Sequence, residues 1–136
     1  MDGGFMNVLV VDDEEMIREA LRILLEDEGH HVVLAGTMAK AIREIRYGHI
    51  NAVILDLLWD GEPLGLEIAR HAHSHHIPML VLSGADTEEM RRQAQVNALE
   101  GVLYWFEKPL LAEGLQDLCA ALRSLDQTAG DPKKSD

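Results

Sequence analysis

The chain has 136 residues and carries 12 lysines and arginines against 24 aspartates and glutamates, a net charge of −12. That length suits one domain with a substantial core and no need of disulfide or metal staples, 47% hydrophobic content excludes disorder, and the charge argues against direct binding of nucleic acid, whose phosphates it would repel. The lone cysteine, Cys119, excludes an internal disulfide and fits a reducing, cytoplasmic setting; no apolar run approaches a membrane span, and the start Met1-Asp2-Gly3-Gly4 lacks the parts of a signal peptide.

Residues 1–6 are expected to be a flexible N-terminus. Asn7–Val11 (NVLVV) then reads as a first strand, and Ile17, Ala20, Leu21, Leu24 and Leu25 recur at helical spacing until Gly29 stops them. His31–Ala35 (HVVLA) is a second strand, with His30 and His31 placed near the loop before it. Thr37 is set to cap a helix whose apolar face is Met38, Ala41, Ile42 and Ile45 and which Gly48 ends. Residues 52–55 (AVIL) form a third strand, 65–74 a third helix, and 79–82 (MLVL) a fourth strand after Pro78. A polar helix is expected over 86–99, a fifth strand over 102–106 (VLYWF) and a last amphipathic helix over 110–125, with Cys119 as a small core residue. The polar tail 126–136 (DQTAGDPKKSD) reads as disordered or as the start of a linker, so the folded domain is placed at 7–125.

Strands and helices therefore alternate five times. The strand segments are too apolar to leave one face wet, which predicts a parallel, doubly wound α/β sheet covered on both sides.

Ligands of such sheets sit beyond the carboxyl ends of the strands. There the first strand offers Asp12-Asp13, the third Asp56, the fourth Ser83-Gly84 and the fifth Glu107-Lys108-Pro109. Two carboxylates about 5 Å apart repel by roughly 3 kcal/mol at an effective dielectric of about 20. A hard divalent cation with oxygen ligands and several waters, Mg²⁺, relieves that repulsion. With it in place a carboxylate can attack phosphorus, Ser83 can donate to a phosphoryl oxygen, and Lys108 can pair with another.

The set VLVVDDEE, VILD, LSG and KP, each at its own strand end, resembles the receiver domain of bacterial two-component response regulators, over about 7–125. The resemblance implies a flavodoxin-like (βα)5 fold with strand order 2-1-3-4-5. It makes Asp56 the acceptor of a phosphoryl group from a histidine kinase or histidine phosphotransfer protein. Asp12, Asp13, Asp56 and the backbone carbonyl of Leu58 would hold Mg²⁺. Ser83, Gly84 and Lys108 would receive the phosphoryl group, Trp105 would be the switch aromatic, and Lys108-Pro109 would be a cis peptide. The same resemblance implies a signalling module, not a turnover enzyme. Its output face would be the fourth predicted helix, the fifth strand and the last helix, which would engage a protein partner, an effector domain or a second copy.

The sequence also departs from the family pattern. Trp105 stands where Tyr or Phe is usual. The proline after the acceptor comes late, at Pro63, in a loop about one residue longer, and the stretch from Ser83 to Lys108 is longer too. Trp59 is expected to be a loop residue shielding the site.

Plainer roles exist for each residue. Asp12 and Asp13 suit a helix N-cap, Asp56 and Ser83 suit turns, and Lys108 suits a solvated surface. His71, His73, His75 and His76 cluster at one helix end, where they suit either a solvated terminus or, through His71 and His75 at i,i+4, a metal. The main competitor to the phosphoacceptor reading is a phosphorylation-independent interaction module of the same fold. A haloacid-dehalogenase-type phosphohydrolase would want an Asp-x-Asp pair, and a flavin site would want a glycine- and hydroxyl-rich phosphate loop in place of acids.

Overall fold

The computed structural model describes residues 6–59, 62, 64–84 and 102–129. Within them the chain runs β1 (Asn7–Val11), α1 (Glu15–Asp27), β2 (His31–Ala35), α2 (Met38–Tyr47), β3 (Ala52–Asp56), α3 (Gly65–Ser74), β4 (Met79–Ser83), β5 (Val102–Glu107) and a last described helix, here α4 (Ala112–Ala129). The strands form one parallel sheet in the order β2-β1-β3-β4-β5. The helix predicted over 86–99 lies outside the described residues.

Alternation along the strands divides the core in two. Val8, Val10, Ala52, Ile54, Leu80 and Leu82 face Leu21 and Leu25 of α1 and Leu118, Ala121 and Leu122 of α4. Leu9, Val11, Val53, Leu55, Met79 and Val81 face Ala41 and Ile45 of α2 and Ile68, Ala69 and Ala72 of α3. Every residue of β3 is buried, which is why its sequence carries no polar alternation. Cys119 packs into the first of these layers, as expected.

Several helix ends follow their sequence signals and others do not. The Thr37 hydroxyl accepts the Lys40 amide at 3.2 Å and caps α2. Gly29 takes φ +100° after α1. After α2 the left-handed residue is His49, at φ 56°, and Gly48 keeps a negative φ. The last helix begins at Ala112 and reaches Ala129, four residues into the stretch read as disordered tail; residues 130–136 and 1–5 lie outside the described part. His30 lies in the loop before β2, as expected, and is buried there, whereas His31 is the first residue of the strand. Among the described residues no helix is long and apolar enough to cross a membrane.

Candidate functional site

Parallel strands end together at one edge, so the residues that end β3 or follow β1 and β5 become neighbours although up to 96 positions separate them. Carboxylate oxygens of Asp12, Asp13 and Asp56 all lie within 4.8 Å of one another. Asp12 and Asp56 are buried, and Asp13 stands at the surface. Lys108 Nζ donates to Asp12 Oδ2 at 2.9 Å, sits 3.2 Å from Asp56 Oδ2 and lies 3.8 Å from Glu14 Oε1. A cavity of about 260 Å³ opens here, lined by Asp13, Glu14, Asp56, Leu58, Gly84 and Lys108.

The backbone around the acids is tied down at each turn. The Glu14 amide donates to Asp12 Oδ1 at 2.9 Å, and Glu14, not Asp13, is the N-cap of α1, with no capping side-chain bond. The N-cap reading of the acidic pair is thereby displaced. The Leu58 amide donates to Asp56 Oδ1 at 3.2 Å. Lys108-Pro109 is cis. Ser83 closes β4 opposite Glu107 in the ladder, and its side chain lies outside the described part. Trp105 pairs with Val81 and packs, half-buried, on the α2–α3 side of the sheet. Asp60, Gly61 and Pro63 of the altered loop lie outside the described residues.

Burial pushes the Asp56 carboxyl up from 3.8 to about 6; Lys108 pulls it down, and the neighbouring Asp12 charge pushes it up again. Burial also disfavours the Lys108 ammonium, but its bonds and charge contacts with Asp12 and Asp56 overcome that and hold its pKa above the ordinary lysine value. One ammonium therefore leaves the acid cluster under-neutralised. An all-oxygen set of this charge and spacing fits a hard divalent cation.

Two contributors carry no sequence signal that separates them from their neighbours. Arg18 Nη1 donates to the Asp12 carbonyl at 2.7 Å, and a Cβ on Gly36 would lie 2.6 Å from the same nitrogen, so glycine there leaves room for the guanidinium. Arg18→Met keeps the reach and drops the donor. It is expected to cost about 2 kcal/mol in urea unfolding, with no effect if the carbonyl is otherwise satisfied. Trp59 is the second. It is not a shield over the site but a core residue, 6% exposed, whose Nε1 donates to the Asp56 carbonyl at 2.8 Å. At the end of α3, His71 lies 3.6 Å from Glu67, the His75 Nδ1 sits 3.0 Å from the His71 carbonyl, and these histidines enter no group of three metal-ligating side chains among the described residues. Among the described residues only Asp12, Asp13 and Asp56 form a set of three metal-ligating side chains.

Residues 8–122 match the sequence profile of the response regulator receiver domain. The chain belongs to the response regulator receiver family. The receiver is 37% identical over 119 residues to the KDP operon transcriptional regulatory protein KdpE of Escherichia coli, covering 86% of this chain and 49% of that one. It is 36% identical over 89 residues to response regulator RR06 of Streptococcus pneumoniae, covering 65% of this chain and 41% of that one. The receiver thus spans less than half the length of these curated relatives. Among solved structures, a response regulator receiver domain protein from Clostridium thermocellum superposes with a TM-score of 0.76 at 25% identity, covering 91% of this chain and 96% of that one.

Proposed function

We propose that the receiver takes a phosphoryl group on Asp56 from a histidine kinase or a histidine phosphotransfer protein, with Mg²⁺ held by Asp12, Asp13, Asp56 and the Leu58 carbonyl. The observation that carries this reading is the meeting of three carboxylates and one ammonium, from separate strand ends, around a single cavity. Bound Mg²⁺ supplies charge withdrawal from the phosphoryl oxygens. An Asp56 oxygen forms the new bond to phosphorus as the bond from phosphorus to the donor's imidazole nitrogen breaks. Lys108, already poised between Asp12 and Asp56, pairs with a phosphoryl oxygen, and Ser83 and Gly84 at the end of β4 are the assigned partners on the other side.

The donor protein needs a surface beside the acceptor. An apolar groove of about 550 Å³ between α1 and α4 supplies one, lined by Ile17, Leu21, Leu110 and Leu115 and flanked by the exposed Met16. Glu14 and Lys108 line both this groove and the acid cavity, so a phosphohistidine carried on a docked partner lies next to Asp56.

Phosphorylation changes charge and hydrogen bonding at one sheet edge, and Trp105 is the assigned relay to the face of β5 and α4. That face would then gain or lose a protein partner, an effector domain or a second copy. In this reading the receiver is a cytoplasmic signalling module that acts on itself, with no turnover substrate. The alternative of a phosphate-independent interaction module lacks a supporting observation, since the acid cluster and Lys108 are all in place. Incubation with Mg²⁺ and acetyl phosphate is expected to add one phosphoryl group by mass and none to Asp56→Ala. No gain in the parent chain, or a gain that survives Asp56→Ala, overturns the reading.

A further inference from the structure

We propose that Trp59 is a positioning residue for the acceptor, its indole N–H locking the loop that presents the Leu58 backbone to Asp56. This inference rests on the assignment of Asp56 as acceptor and adds the device that fixes its surroundings. The peptide groups on either side of Leu58 have no regular structure to hold them, because β3 ends at Asp56 and α3 begins at Gly65. Three ties replace it. Trp59 Nε1 donates to the Asp56 carbonyl at 2.8 Å, a buried bond across three residues. Trp59 and Glu62 exchange both backbone bonds, at 2.8 and 2.9 Å, as an isolated antiparallel bridge. The Gly65 amide donates to the Leu57 carbonyl at 3.0 Å.

Leu58 is enclosed between the first two ties. With Asp56 O fixed to the Trp59 ring, the Leu58 N–H is aimed at Asp56 Oδ1 at 3.2 Å. The ring itself cannot swing out, since it is packed among the buried side chains of the α2–α3 layer. Losing this buried donor strands the Asp56 carbonyl in a dry setting, which costs more than the bond itself contributes. The loop must then shift to rewet that oxygen, and Leu58 moves with it.

The test uses the full chain without metal or phosphodonor. Trp59→Phe keeps an aromatic ring and removes the N–H. Hydrogen exchange of the Leu58 amide is expected to speed up at least tenfold, while Val53 and Ile54 amides in β3 keep their protection. Mg²⁺ affinity, read separately by titration, is expected to weaken several-fold. Unchanged Leu58 exchange in a folded Trp59→Phe chain overturns the proposal, as does equal acceleration along all of β3, which marks mere destabilisation. Should that variant fail to fold, the parent chain decides: a scalar coupling across the bond from Trp59 Nε1 to the Asp56 carbonyl carbon upholds the lock, and rapid indole exchange with no coupling overturns it. A parent chain that took no phosphate would sink the acceptor assignment and leave the exchange result to judge the lock.

Discussion

Gly65→Ala is expected to destabilise the receiver by about 3 kcal/mol, the upper end for inserting a methyl group into packed structure. A Cβ at this first residue of α3 would run into the Asp56 carbonyl oxygen and would lie 2.6 Å from Leu57 Cα and 2.9 Å from the Leu57 carbonyl oxygen. These are backbone atoms, so no side-chain rotation relieves the clash. Relief requires α3 to back away from the end of β3, which breaks the Gly65–Leu57 bond and dislodges the carbonyl that Trp59 engages. Denaturant unfolding reads the first effect. Mg²⁺ titration reads the second, with affinity expected to fall at least tenfold. A variant within about 0.5 kcal/mol of the parent would show that the helix has slack where the contacts say it has none.

The second large effect is electrostatic and changes sign with conditions. Burial holds the Asp56 carboxyl near 6 in the metal-free fold, against 3.8 in the open chain. The folded state therefore keeps this proton to higher pH than the unfolded state does. Below about pH 4 both states are protonated and the group is neutral in effect. Between about pH 4 and 6 the unfolded state is favoured increasingly, and above that the penalty levels off at up to about 3 kcal/mol. Asp56→Asn removes the penalty. At pH 7.5 in a chelator it is expected to be more stable than the parent by about 1–3 kcal/mol, with the advantage vanishing near pH 4. Added Mg²⁺ should reverse the ranking, because only the parent retains the full set of proposed ligands. An Asn variant less stable than the parent at pH 7.5 without metal would mean that the Lys108–Asp56 contact outweighs the cost of burying the charge.

The order of elements and the edge that carries the chemistry were legible because they rest on period and on strand ends. NVLVV, AVIL and MLVL leave no wet face, so helices on both sides follow, and the polar residues that stop each run must share an edge. Asp12, Asp13, Asp56 and Lys108 could be named for that reason. Trp59 is misplaced by the sequence as a shield over the site, because nothing in a tryptophan after a strand end says that the loop's path turns it into the core. Arg18 is one of several charged residues on α1, and the sequence does not say which carbonyl it reaches. Gly65 resembles an ordinary helix start, and only the approach of α3 to the Asp56 backbone gives it meaning. The apolar pattern ends the last helix at Leu125, where Asp126, Gln127 and Thr128 interrupt it; they do not break the helix, which runs on to Ala129.

The contact between Lys108 and Asp12 spans 96 positions, most of the folded chain. A growing polypeptide that has emerged only as far as β4 already carries these acidic residues but not Lys108, the cation that pairs with the Asp12 and Asp56 carboxylates. Those groups repel until β5 adds itself to the margin of the sheet and delivers the lysine. Under the proposed function, the acceptor site is complete only once β5 has joined the sheet.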